Sequence, residues 1–298
     1  MRNGTITQSQ YASLPGMGVD TPLQITRCVY EEAAEERQRK GKNARHLHVL
    51  YVDYSKAFDS CEPWLLESAL RRMGVPETTI NFFSDMDANT RNSLKTESGK
   101  TKSFHPERGA WQGETCSPLR FISILQILLD HLAKTGKGWK MSTGDIIFGH
   151  AYMDDCFLVA EDNASLQALA DILSQFCAAI GLNINASKSY YTTSDPDINL
   201  KITVFDPVTK HCIPTKRIQS TEPIRYLGVY FTVDLKWKMQ REFVDQKIKT
   251  ICEGIRRSPL SYTQSVVAAN LLAGGLANFH FLIADFPRST IKDWDSKL

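Results

Sequence analysis

Hydrophobic and polar positions follow two periods along this chain. Residues 46–52 (His-Leu-His-Val-Leu-Tyr-Val) have the pattern of a strand buried on both faces, and Asp53 stands where it ends. Ile146, Ile147 and Phe148 precede Tyr152-Met153-Asp154-Asp155, and Cys156, Phe157, Leu158, Val159 and Ala160 follow, so two apolar strands flank an acidic tip. Helical spacing organises most of the remainder. Leu23, Ile25, Val29 and Tyr30 line one side of a helix within residues 20–45. Asp59-Ser60 is the expected N-cap of a helix through Trp64, Leu65, Leu66, Ala69 and Leu70 that stops near Gly74, and another helix is expected over 77–90. Polar alternation over 92–108 around Ser98-Gly99 predicts a solvent-facing hairpin. A helix starts at Ser117 (Phe121, Ile124, Leu125, Leu128, Leu129, Leu132), and a further one carries Leu166, Leu169, Ile172, Leu173, Phe176 and Ile180. Strands are expected near 201–205 and 225–232, then a helical tail with Val244, Ile248, Ile251 and Ile255 on one face. This order reads as α+β, without the alternating βαβ units of a parallel sheet.

Adjacent acids at the tip of an apolar strand pair repel each other and resist desolvation unless a cation lies between them and another carboxylate. Asp53 supplies that carboxylate. An acid ending one central strand and an acid pair on a neighbouring hairpin suit two magnesium ions, with manganese as the alternative, and phosphoryl-transfer chemistry. Asp53 and Asp154 are the candidate bridging ligands, Asp155 a supporting one, and the Tyr54 carbonyl a further hard oxygen donor. The competing explanation is a plain hairpin turn, in which aspartate is common.

Composition narrows the class. At 298 residues with 42% hydrophobic content the chain can bury a full core, and a net charge of +2 neither announces nor excludes a nucleic-acid binder. Basic residues gather at 37–45 and 236–257, though both stretches also carry acids. Seven cysteines without a Cys-x-x-Cys pair argue for reduced thiols and an intracellular location, nucleus or cytoplasm. The apolar stretch at 266–279 is too short to span a bilayer, so no membrane partner is expected, and it reads as a core helix. An EF-hand over 53–64 fails because Phe58 and Trp64 occupy the glycine and glutamate positions, and no P-loop motif occurs.

Five ordered blocks resemble the reverse transcriptases, most closely those of LINE-type (non-LTR) retrotransposons. They are Asp53-Tyr54-Ser55-Lys56-Ala57-Phe58-Asp59, Arg108-Gly109-Ala110-Trp111-Gln112-Gly113-Glu114-Thr115-Cys116-Ser117-Pro118-Leu119, and Ala151-Tyr152-Met153-Asp154-Asp155. Gly181-Leu182-Asn183-Ile184-Asn185 with Lys188, and Tyr226-Leu227-Gly228-Val229, complete the set. The resemblance implies a right-hand polymerase palm, a small antiparallel sheet backed by helices, with partial fingers and a helical thumb. Residues 1–232 would form the polymerase domain (fingers 1–45 and 61–108, palm 46–60 and 109–232) and residues 233–298 the thumb. It implies RNA-directed DNA synthesis with an RNA template, a DNA primer and deoxynucleoside triphosphates, and sets no oligomeric state.

Residue by residue, it implies that Phe58 lies under the incoming sugar and excludes a 2′-hydroxyl, and that Gln112 contacts the nucleotide. Arg108, Gly109 and Gly113 would position template and substrate, and Lys188 would serve the leaving pyrophosphate. Packing of the strand-to-helix turn competes for Phe58, and solvation for Lys188. Residues 10–16 resemble a family segment but carry Leu14 where that segment has arginine. The family's basic fingers hairpin lies before that segment, so the chain is expected to be an N-terminally truncated element protein, folded but nearly inactive alone. A non-catalytic nucleic-acid scaffold derived from such an enzyme, and a group II intron or retroviral-type enzyme, are the alternatives. Three retained aspartates disfavour the scaffold.

Overall fold

The structure is a computed structural model and describes residues 9–106, 108–110, 115–197, 201–207 and 209–297. Its chain divides into two units, Met1–Met17 with His48–Tyr191 and Asp197–Arg217, and Gly18–Leu47 with Thr192–Pro196 and Ile218–Leu298.

In the first unit the strand His48–Val52, buried at every position, lies at the centre of a five-stranded sheet. Across the sheet the order is Lys216–Arg217, Tyr190–Thr193, His48–Val52, Asp155–Ala160 and Gly149–Tyr152. Antiparallel pairing sets His48 opposite Ala160 and Val52 opposite Cys156. The pair Tyr190–Thr193 and Lys216–Arg217 is parallel, so the sheet is mixed, whereas the sequence predicts an antiparallel one. Helices Ser117–Ala133 and Asn163–Ile180 bury Phe121, Ile124, Leu125, Leu128, Leu166, Leu169 and Leu173 in one core with Leu50, Leu158 and Ala160 of the sheet. Asp162 caps the second of these helices by accepting from the Ser165 amide at 2.7 Å, and Gly181, at φ 73°, ends it in the left-handed conformation.

The helix expected after an Asp59-Ser60 cap begins later. It spans Pro63–Arg72 with proline in its first turn, while Phe58–Ser60 forms a 3-10 turn. Proline's fixed φ and missing N–H suit a helix start, so Pro63 overrides the nearer capping signal.

Glycine is required at position 149. A Cβ there would lie 2.0 Å from the Phe157 carbonyl oxygen, at φ 144°. Gly149→Ala is expected to cost roughly 2 kcal/mol in urea unfolding through clash and strain. Gly144→Ala, where a Cβ meets nothing within 4 Å, is expected to cost about 1 kcal/mol from φ strain alone.

The second unit joins helix Asp20–Lys40 to a hairpin (Ile224–Tyr226 with Val229–Phe231) and to C-terminal helices including Lys238–Arg257 and Arg288–Lys297. Tyr30 meets Phe231 edge-on at 6.0 Å, Arg37 reaches Asp234 at 3.2 Å, and Arg27 donates to both Asp285 oxygens. Through these contacts residues 18–47 group with the C-terminal helices. The stretch 266–279 also departs from expectation. It is a helix interrupted by a π turn at Asn270–Gly274, and Val267, Leu271 and Leu272 are exposed, so it is not a core helix. Among the described residues no helix is long and apolar enough to cross a membrane.

Candidate active site

Strand register brings the acids together. Tyr152 pairs with Asp155 across a two-residue turn of Met153 and Asp154, with Met153 held at φ 55°. Val52 pairs with Cys156, so one further step sets Asp53 across from Asp155. Opposed residues in antiparallel strands have Cα atoms about 4.5–5.5 Å apart. Asp53 and Asp154 are half-buried, while Asp155 keeps solvent access.

The surrounding protein desolvates the Asp155 carboxyl, and the charges of Asp154 and Asp53 add to this, pushing its pKa up to about 6. Desolvation also raises Asp53, as does Asp154; Lys188 and a hydrogen bond with the Asn185 side chain oppose the rise. Because the folded chain holds the Asp155 proton more tightly than the unfolded chain, metal-free stability falls as pH rises from about 4 to about 6. The melting temperature of Asp155→Asn minus that of the parent chain is therefore expected to grow across that window. A flat difference would show that Asp155 titrates normally.

The Asp53 backbone is held on both sides by a loop that sequence reasoning valued only for Lys188. Asn185 donates its amide to the Asp53 carbonyl at 2.8 Å, and the Ser189 hydroxyl accepts from the Asp53 amide at 3.1 Å. That hydroxyl in turn donates to the Asn185 carbonyl at 2.8 Å. Small polar residues over 185–189 signal a turn, but nothing in them names Asp53 as its partner. Lys188 is exposed on this loop, with its charge within reach of Asp53.

The next block is stitched to the same region. Gly109 and Ala110 donate their amides to the carbonyls of Cys61 and Phe58, each at 2.8 Å. A Cβ on Gly109 would press on the Asp59 backbone at 3.4 Å with φ at 115°. Phe58 is half-buried and stacks on Phe121 at 4.4 Å between centroids. Arg108 is exposed and lies 3.7 Å from Glu62. The Tyr54 ring is buried among core side chains, and its strand pairs with Asn183–Ile184. Gln112 and Gly113 lie outside the described residues.

Among the described residues no group of three or more His, Cys, Asp or Glu side chains is arranged to hold a single metal ion. The donor set fits a hard cation nonetheless: carboxylate oxygens only, with no thiolate or imidazole, and two carboxyls whose raised pKa values a cation would lower.

A small sheet backed by helices, with acids converging at one end of its central strands, defines the palm of a polymerase. The reverse transcriptase (RNA-dependent DNA polymerase) family matches residues 5–231, more than half of the chain. The chain belongs to the reverse transcriptase family, and within it to the LINE (non-LTR) type. It is 29% identical over 200 residues to the Pol polyprotein of the type-2 retrotransposable element R2DM of Drosophila melanogaster, covering 64% of this chain and 18% of that protein. A Pol polyprotein of a type-1 element R2 from Nasonia vitripennis is 27% identical over 232 residues, 77% of this chain and 22% of the relative. The chain thus spans about a fifth of the length of these relatives. Among solved structures, apo telomerase of Candida tropicalis matches with a TM-score of 0.50 at 13% identity, over 96% of this chain and 50% of that one. Telomerase of the same organism bound to a fragment of telomeric RNA gives 0.50 at 11% identity, over 92% and 42%. At these identities the likeness concerns the fold.

Proposed function

We propose that this chain is the polymerase portion of a retrotransposon protein and adds deoxynucleotides to the 3′ end of a DNA primer on an RNA template. The observation that carries this reading is the meeting of Asp53, Asp154 and Asp155 at one end of the sheet, where Asp154 raises the cost of charging both Asp53 and Asp155. A lone hairpin turn needs none of that cost. Asp53 and Asp154 would hold the two cations, with Asp155 and the Tyr54 carbonyl in support. Bound magnesium would activate the primer hydroxyl and neutralise the triphosphate.

The chain's own groups provide the rest. Asn185 and Ser189 hold the Asp53 backbone, Lys188 serves the departing pyrophosphate, and Phe58, stacked on Phe121, lies under the incoming sugar and excludes a 2′-hydroxyl. Arg108, Gln112 and Gly113 position substrate and template. Residues 46–60 and 109–232 act as palm, 1–45 and 61–108 as partial fingers and 233–298 as thumb. A nucleic-acid scaffold remains the competing class, and it gives the three acids nothing to do.

Primer extension at enzyme excess, with an RNA template, a labelled DNA primer and magnesium, tests the proposal. Incorporation that requires magnesium and deoxynucleotides, and that falls when Asp154 is replaced, is expected. Template binding with no such incorporation at any enzyme concentration would favour the scaffold.

A further inference from the structure

The hairpin expected over 92–108 carries a charge pattern that the polymerase site does not use. Its ladder runs from Asn92 opposite Phe104, both amides donating across at 2.8 Å, to Lys95 opposite Lys100 and Thr96 opposite Gly99. The register slips by one residue between these pairs, so an extra residue bulges from the strand carrying Lys102 and Ser103. Alternation then places Lys95, Lys100 and Lys102 on one face, with Leu94, Thr96 and Thr101 on the other. Residues 93–105 are exposed.

Like charges directly opposite each other destabilise a strand pair, and a two-stranded ribbon is marginal in water to begin with. Nothing among the described residues relieves this. Lys95, Lys100 and Lys102 form no ion pair among the described residues, and Glu97 sits in the turn. The other basic stretches differ. Around 37–45, Arg37 pairs with Asp234, and Lys40 and Arg45 pair with Glu36. Along Lys238–Arg257, Lys249 pairs with Asp245 at 2.8 Å, and Lys238 and Arg257 lie near Glu242 and Glu253. On the ribbon, by contrast, Lys95, Lys100 and Lys102 stand together without an ion pair among the described residues.

Its placement matters as well. Arg91 anchors its base by donating to the carbonyls of Ala88 and Thr90. From Phe104 the chain reaches Gly109, bonded to Cys61 beside Phe58, in five residues. Five residues span at most about 17 Å. The base of the ribbon is therefore tethered close to Phe58, beside the polymerase site.

We propose that the face of Lys95, Lys100 and Lys102 is a docking surface for the phosphate backbone of the RNA template strand. This rests on the polymerase function proposed above. Phosphates supply the negative charge that the lysines lack, and neutralising them releases counterions, which makes binding salt-dependent. Lysines on strand edges also guard against edge-to-edge pairing, and that alternative separates cleanly in the test.

The experiment is fluorescence-anisotropy binding of a labelled single-stranded RNA to the full chain, titrated at several salt concentrations. The ribbon variant is K95Q/K100Q/K102Q. A second variant, K134Q/K137Q/K210Q, removes the same number of charges from exposed positions elsewhere. Circular dichroism checks that both are folded. The ribbon variant should bind on the order of 10–100-fold more weakly at 0.1 M salt, and its slope of log affinity against log salt should flatten by about 2. The second variant should stay close to the parent.

Equal loss in both variants would reduce the effect to net charge and overturn the docking surface while leaving the polymerase proposal intact. Aggregation of the ribbon variant with an unchanged salt slope would assign the lysines to edge protection and overturn it too. If single-stranded DNA or polyglutamate showed the ribbon-dependent loss and RNA did not, the RNA assignment would be wrong. A parent chain that binds no RNA at all would overturn both the surface and the polymerase proposal.

Discussion

Replacing Asp154 by asparagine is expected to reduce magnesium-dependent primer extension by about a thousandfold or more, equivalent to about 4 kcal/mol of transition-state stabilisation. Asparagine keeps the shape and the turn but removes one of the two candidate bridging carboxylates. The same change should leave metal-free stability level or raise it, because Asp155 then loses a neighbour whose charge pushes its pKa up. Adding magnesium near pH 7.5 should raise the melting temperature of the parent chain, since an ion that binds only the folded state stabilises it. The asparagine variant should lack most of that shift. Extension at the parent rate in a folded Asp154→Asn chain would remove the two-cation assignment.

Phe58→Ala is expected to raise ribonucleotide incorporation relative to deoxynucleotide incorporation by about 10–200-fold, the range open to steric discrimination by a pocket wall. The ring is half-buried and rests on Phe121, so part of it is committed to packing and part is available to a substrate. The substitution therefore also loses packing, costing about 1–3 kcal/mol of stability, since only part of the side chain is buried. Phe58→Tyr, which keeps the ring and its stacking, should preserve the discrimination. Competition assays with paired ribo- and deoxynucleoside triphosphates measure the ratio directly. Unchanged ratios in Phe58→Ala with the expected loss of stability would assign the residue to the core alone.

Most of the elements could be read from the chain because each is driven by local terms. The strand ending at Val52 is buried at every position, and its apolar run announced that. The helix Asn163–Ile180 follows its spacing from Leu166 to Ile180 and ends at a glycine that tolerates positive φ. Asp59-Ser60 misled because two start signals competed and proline lay closer to the helix. The stretch at 266–279 misled for another reason. Apolar content predicts burial only when some element is available to cover it, and composition does not say which.

By itself, the sequence determined the α+β class, the ordered blocks and the identity of the three acids, since these depend on residue type, spacing and period. Only the tertiary structure decided how they meet. Asp53 and Asp155 are about a hundred residues apart in the chain and become neighbours through the register of two strands. The grip of Asn185 and Ser189 on the Asp53 backbone is likewise invisible in the chain, because a hydroxyl and an amide carry no label for a partner 136 residues away. The grouping of residues 18–47 with the C-terminal helices came from ion pairs and ring contacts over still larger separations. Local propensity acts over a few residues, whereas such pairings are selected by the packing of the whole unit, and that is where one-dimensional pattern stops.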